Sequence, residues 1–135
     1  MARYLAIIDE ADGMFGVVFP DAPGCTAMGK TQEEAIDNAI DALAEWAADE
    51  AVDGRPIRKP RTYRQLLKSG EFSEPGERAM VATLPLLRES GKLARANVSM
   101  DAGLLASIDE AATARGLTRS SFLASAARDK LKASF

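Results

Sequence analysis

Polar and apolar side chains alternate over residues 95–100, where the sequence runs Arg-Ala-Asn-Val-Ser-Met. Because successive side chains of a β-strand point to opposite faces, this alternation predicts a strand with Arg95, Asn97 and Ser99 on one face. These residue types can read DNA bases. Arg can donate two hydrogen bonds to guanine, Asn can form two hydrogen bonds with adenine, and Ser can form a hydrogen bond with either base. An ordinary surface strand with its polar side chains in water is the alternative interpretation.

Two helices are predicted directly after this strand. Apolar side chains of the first recur at helical spacing, at Leu104, Leu105, Ile108, Ala111 and Ala112. Gly116 interrupts the pattern, and a second helix is predicted to begin near Thr118. The N-terminal amides of this second helix are expected to hold a DNA phosphate, with Arg119 and Ser120 assisting.

This strand–helix–helix order resembles the ribbon-helix-helix DNA-binding fold. A lone strand cannot form a sheet, and a unit of about 40 residues can hardly bury a sufficient core by itself. The resemblance therefore implies a homodimer through residues 94–135, in which two strands pair antiparallel and enter the DNA major groove. Oligomers larger than this dimer are left open.

Composition excludes several kinds of chemistry. The 135 residues include no histidine, so Ser-His catalysis, Cys-His catalysis and His-ligated zinc are excluded. The single cysteine, Cys25, allows no internal disulfide and is expected to be a buried, unreactive thiol. No apolar run approaches the about 18 residues of a membrane span, and the N-terminus lacks a signal-peptide pattern. We therefore expect a cytoplasmic protein with no catalytic residue, metal, cofactor or membrane contact.

Charge is distributed unevenly along the chain. Residues 92–135 carry seven Lys/Arg and four Asp/Glu. Residues 1–91 carry ten Lys/Arg and sixteen Asp/Glu. A basic C-terminal part suits DNA, and an acidic N-terminal part suits a basic protein partner. Between Thr31 and Asp53 there are eight acids and no Lys or Arg, and most lie on the predicted polar face of a helix. The candidate contact residues on this face are Asp37, Asp41 and Glu45; simple solvation of the helix is the alternative.

The N-terminal part reads as a strand–strand–strand–helix–helix–strand series. The predicted strands are residues 3–8, 14–19, 25–28 and 79–87, and the predicted helices begin at Thr31 and Tyr63. Residues 55–78 are rich in Arg, and we favour a solvated connector over a partner-contacting loop. The predicted domains are residues 1–88 and 94–135, joined by a linker at 89–93.

One stretch is specific enough to indicate a family. Phe19-Pro20-Asp21-Ala22-Pro23-Gly24-Cys25, followed by Gly29, Thr31, Glu34 and Ala35, closely resembles the signature of the HicB antitoxin family. HicB proteins often end in a ribbon-helix-helix domain, so the resemblance covers nearly the whole chain.

The resemblance implies an α+β protein whose N-terminal β-β-β-α-β domain is similar to a partial ribonuclease H fold. It also implies an antitoxin that binds and neutralises a HicA-like, RNA-cleaving toxin and represses its own operon by binding operator DNA. A stand-alone ribbon-helix-helix regulator with an N-terminal sensor domain is the alternative. A metal-dependent nuclease could use Asp9 and Glu34, but it is disfavoured because strand 79–87 carries no acid.

Overall fold

The computed structural model describes residues 1–133 and divides the chain into two compact units, Met1–Ser90 and a second unit beginning at Gly91. The strands are β1 (Arg3–Ala11), β2 (Met14–Val18), β3 (Thr26–Gly29) and β4 (Met80–Pro85). The helices are α1 (Gln32–Val52), α2 (Tyr63–Ser69), α3 (Ala102–Ala114) and α4 (Arg119–Lys132). The fold is therefore α+β, as predicted. No helix within residues 1–133 is long and apolar enough to cross a membrane.

The four strands of the N-terminal unit form one antiparallel sheet in the order β3-β2-β1-β4. Asp12 and Gly13 close the β1–β2 hairpin with φ angles of 53° and 75°. Two successive left-handed residues match a type I′ turn, whose twist suits a hairpin and for which Asp-Gly is a preferred pair. All four predicted strands of this unit are therefore confirmed.

Helix α1 covers one face of the sheet and completes the main hydrophobic core. The buried side chains of this core that come from the strands and α1 are Tyr4, Ala6, Ile8, Val17, Leu84, Ala35, Ile36, Ala39, Ile40, Leu43 and Ala47. The helix begins where predicted, because the Thr31 hydroxyl accepts a hydrogen bond from the Glu34 amide at 3.0 Å. The Glu34 carboxylate in turn accepts a hydrogen bond from the Lys30 amide at 3.2 Å. Two hydrogen bonds between side chain and backbone therefore stabilise the start of the helix.

Gly29 allows α1 to approach the end of β3. A Cβ atom built at Gly29 would lie only 2.4 Å from the backbone nitrogen of Ala35, a distance that real Cβ contacts do not reach. The atoms that this Cβ would meet belong to the backbone of α1, which cannot move away as a flexible side chain can. Glycine at this position therefore sets how closely the helix packs on the sheet.

The C-terminal unit consists of α3 and α4 joined by a tight turn. Asp101 caps α3 by accepting a hydrogen bond from the Leu104 amide at 3.0 Å. Gly116, with φ of 68°, ends the helix, and the Leu117 amide donates back to the Ala112 carbonyl at 2.8 Å. Of the described apolar residues in this unit, Ile108 and Ala112 alone are buried. One copy of the unit therefore has a very small core.

Residues 95–100 are not assigned as a strand in the single chain. Arg95, Asn97 and Ser99 are exposed, and Val98, which the alternation places on the opposite, apolar face of the predicted strand, is 68% exposed. A two-stranded ribbon requires a partner strand, and none is supplied by the described part of the chain. The predicted strand therefore depends on a second copy and stays a prediction.

We expect Gly29→Ala to destabilise the N-terminal unit by about 1–3 kcal/mol, the usual cost of overpacking a well-filled core. Urea unfolding of the full chain measures this difference. Gly16→Ala on β2 is the matched control, because a Cβ there meets nothing within 4 Å. Equal stability of the two variants would contradict the close approach of α1.

Candidate partner-binding and nucleic-acid surfaces

Asp21 is the buried acid of the N-terminal unit, and its side chain organises the loop between β2 and β3. The residue is 2% exposed and lies within a turn in which the Ala22 amide donates to the Phe19 carbonyl at 3.1 Å. Its carboxylate accepts hydrogen bonds from the Arg61 backbone amide at 2.7 Å and from Arg61 Nε at 2.9 Å. The buried charge is therefore compensated by both the backbone and the guanidinium of one residue.

Glu71 joins this pair into a network with a second arginine. The Glu71 carboxylate accepts hydrogen bonds from the Arg61 guanidinium at 3.0 Å and from the Arg58 guanidinium at 3.1 Å. A guanidinium nitrogen of Arg58 also lies 3.8 Å from a carboxylate oxygen of Asp21. The hydrogen bonds from Arg61 and then Arg58 hold the pKa of Glu71 below its ordinary value. The solvated-connector interpretation of residues 55–78 is therefore wrong for Arg58 and Arg61, which tie this segment to the loop.

Two aromatic side chains connect the Arg58 segment to the sheet and the β2–β3 loop to α1. The Tyr4 hydroxyl donates to the Arg58 carbonyl at 2.7 Å, and Trp46 Nε1 donates to the Pro23 carbonyl at 3.2 Å. The two rings meet edge to face with centroids 6.5 Å apart. Burial raises the pKa of the Tyr4 hydroxyl, which therefore stays a hydrogen-bond donor.

Cys25 is buried at the end of the loop, as expected. Burial, with a smaller contribution from the charge of Glu45, raises the pKa of its thiol to about 11. The thiolate is the reactive form of cysteine, so this group is a poor nucleophile near neutral pH. The thiol acts as a small apolar side chain in the core.

The predicted acidic surface exists as a continuous face of α1. Asp37, Asp41 and Glu45 are all exposed and follow one another at intervals of four residues. Residues at this spacing lie along one side of a helix, so the fold brings the three carboxylates together. Their role in binding a partner stays a prediction.

The two acids considered for a nuclease site are not brought together. Ile8 packs in the core beneath α1, so its neighbour Asp9 points to the opposite face of the sheet. Glu34 belongs to α1 on the covered face, where its carboxylate binds the Lys30 amide. Within residues 1–133, no group of three or more His, Cys, Asp or Glu side chains is placed to hold a metal ion.

The predicted phosphate-binding residues lie at the start of α4. Thr118 caps this helix by accepting a hydrogen bond from the Ser121 amide at 3.1 Å, and Ser120 is exposed. Arg119 is engaged by Asp109 of α3, which accepts from Nε at 2.8 Å and from a terminal nitrogen at 2.7 Å. This pairing raises the pKa of Arg119 and lowers that of Asp109.

The chain is similar over its whole length to a protein of known structure. The crystal structure of the Burkholderia pseudomallei antitoxin HicB is 28% identical, with a TM-score of 0.54 and complete coverage of both chains. The crystal structure of the antitoxin HicB3 is also 28% identical, with a TM-score of 0.51 and coverage of 96% of this chain and 97% of that one. A 14.9 kDa protein from the rep–hol intergenic region of Haemophilus phage HP1 (strain HP1c1) is 28% identical over 130 residues, which are 95% of this chain and 96% of that protein.

These similarities define the class as a two-unit α+β protein with the fold of HicB antitoxins. The sequence profile of the HicB-like antitoxin of bacterial toxin–antitoxin systems matches residues 4–127, a range that runs through both units. The chain therefore belongs to the HicB-like antitoxin family, as its signature at residues 19–35 predicted.

The Glu71 network makes the stability of the N-terminal unit depend on pH. The pKa of Glu71 is lower in the folded protein than in the unfolded chain, where it is about 4.3. The ionised Glu71 carboxylate therefore contributes fully to stability above about pH 4.3, and this contribution is lost as the pH falls through the folded-state pKa. We expect Glu71→Gln to be less stable than the wild type at pH 7, with a difference that shrinks below about pH 4. Denaturant unfolding at several pH values measures this.

Glu74→Gln is the matched control for this experiment, because Glu74 is exposed and forms no ion pair with any described residue. Its stability should follow that of the wild type across the same pH range. A stability loss in Glu71→Gln that is equally large at pH 7 and at pH 3 would contradict the charged network.

Proposed function

We propose that this antitoxin neutralises a HicA-like, RNA-cleaving toxin through its N-terminal unit and represses its own operon through its C-terminal unit. The observation that carries the proposal is the match to the HicB-like antitoxin profile over residues 4–127, which includes both units. An antitoxin of a toxin–antitoxin system acts on a toxin, and a toxin that cleaves RNA needs a surface able to attract an anionic polymer. Both activities belong to the cytoplasm, where RNA and operator DNA are found.

The acidic face of α1 supports the first activity. Asp37, Asp41 and Glu45 form an exposed line of negative charge, which complements the basic surface expected of an RNA-binding protein. Charges at the rim of an interface mainly accelerate encounter between the partners. We therefore propose that this face accelerates the encounter with the toxin, and that most of the binding energy comes from other contacts.

Reversal of Asp37, Asp41 and Glu45 to Lys should slow toxin association several-fold at low salt and less at high salt, because screening removes long-range attraction. The probe is a HicA-like toxin, taken from a short reading frame beside the gene if one there encodes a basic protein, and stopped-flow mixing measures the rate. The matched control reverses Glu10, Glu74 and Glu77, exposed acids outside α1, for the same change in net charge. Equal slowing in both variants would contradict a specific role for α1, and failure of the two wild-type proteins to associate would contradict the toxin-binding proposal itself.

The incomplete core of the C-terminal unit supports a dimer. Val98 is 68% exposed, Leu104 54% and Leu131 42%, whereas a stable unit of this size needs apolar burial that one copy does not supply. A second copy covering these side chains would also bring a second strand to residues 95–100. In that arrangement the two strands form a ribbon with Arg95, Asn97 and Ser99 on its outer face.

The start of α4 is suited to the phosphate contact of such a ribbon. The helix N-terminus offers unpaired amides, and Thr118 and Ser120 add hydroxyl groups beside them. Asp109 occupies Nε and one terminal nitrogen of Arg119, while the other terminal nitrogen bonds to no described residue. Arg119 is thereby held in one orientation and still has donors for a phosphate.

Replacing Arg95 or Asn97 by Ala should each weaken binding to the DNA upstream of the antitoxin gene by about 1–3 kcal/mol and relax base choice at one position per half-site. Titration against that DNA and against single-base variants measures both effects. Arg128→Ala on α4 is the control, because it removes the same charge away from the ribbon. Unchanged affinity and base preference in the Arg95 and Asn97 variants would contradict the ribbon assignment.

A further inference from the structure

The guanidinium of Arg119, the first residue of α4, is bound along one side by an acid of α3. Asp109 accepts a hydrogen bond from Arg119 Nε at 2.8 Å and another from one terminal nitrogen at 2.7 Å. A guanidinium is planar and carries five N–H groups, so this side-on pairing uses two of them. The other three belong to the two terminal nitrogens and point away from the carboxylate. The end of the guanidinium between the terminal nitrogens therefore stays open, and this end can donate two hydrogen bonds to a phosphate.

The free energy of unfolding gives little reason for this pairing. The Arg119 side chain is 53% exposed and the Asp109 side chain 44%, and ion pairs between exposed side chains stabilise a fold only slightly. The two hydrogen bonds instead fix the direction of a long and otherwise flexible side chain. Ordering such a side chain at an interface weakens binding, so a side chain that is ordered beforehand binds more tightly.

We propose that Asp109 is a positioning residue, which holds the Arg119 guanidinium ready to donate to a DNA phosphate at the start of α4. Other donors for the same phosphate are present there, because the first-turn amides of Arg119 and Ser120 have no partner within the helix. This role rests on the DNA binding proposed above. It adds an acidic residue to the groups that promote that binding.

The proposed role reverses the effect that an acid ordinarily has on DNA binding. An acid in a DNA-binding unit repels the phosphates, so its removal is expected to strengthen binding. Asp109 also offsets the charge of Arg119, but both side chains are about half exposed, and salt screens this effect. The orientation of Arg119 depends on two short hydrogen bonds, and both are lost with the carboxylate. We therefore expect DNA binding to weaken when Asp109 is removed.

Asp109→Ala should bind the DNA upstream of the antitoxin gene about two- to ten-fold more weakly than the wild type, because Arg119 must then be ordered during binding. The slope of log affinity against log salt concentration should also become shallower, by up to about one unit, because one phosphate contact is weakened. Titrations of the full-length protein at several KCl concentrations measure both quantities.

Glu110→Ala is the matched control, because it removes the same charge from the neighbouring, exposed position of α3. This variant should bind at least as tightly as the wild type, with a salt slope that is no shallower. Arg119→Ala supplies the reference for complete loss of the contact. The double variant Asp109→Ala/Arg119→Ala should bind no more weakly than Arg119→Ala, since Asp109 acts through Arg119.

Two results would overturn the role of Asp109 while leaving DNA binding in place. Unchanged or stronger binding by Asp109→Ala would mean that the carboxylate does not assist Arg119. Weaker binding with the wild-type salt slope would mean that the ion pair acts only on the stability of the unit, because a smaller folded fraction lowers the affinity equally at every salt concentration. Failure of the wild type to bind this DNA would instead contradict the repressor proposal, and the role of Asp109 with it.

Discussion

The burial of one carboxylate imposes a condition that the rest of the N-terminal unit must meet. Removing a charge from water costs several kcal/mol unless hydrogen bonds and an opposite charge compensate for it. Asp21 obtains both from Arg61, a residue 40 positions further along the chain. The loop between β2 and β3 and the segment around Arg61 therefore hold each other in place, because either one alone would leave a charge unsatisfied.

This mutual dependence explains how the family signature works physically. Asp21 anchors the Arg61 segment, the Pro23 carbonyl receives the Trp46 indole from α1, and Cys25 fills the core. The signature residues thus build a scaffold and do not themselves form the surfaces to which we assign partners. The acidic face of α1 is carried by this scaffold, so its geometry depends on the buried loop although it does not contain the loop.

Much of the fold could be predicted because its signals are local. The Asp12–Gly13 turn and the Thr31 cap each depend on residues within a few positions of one another, and the acids of α1 follow from helical spacing alone. The Asp21–Arg61 pair could not be predicted, since a run of arginines looks the same in sequence whether it is solvated or bound to a distant acid. The pairing of Arg119 with Asp109 was missed for the same reason.

The single thiol of the chain gives it a practical property. Cys25 is buried and its pKa is raised to about 11, so alkylating dyes that require an accessible thiolate react with it slowly. A cysteine introduced on the surface can therefore be labelled selectively without removing the native residue. Pairs of fluorophores or spin labels attached in this way, one on α1 and one on α4, give a direct means to measure how far apart the two units lie in solution.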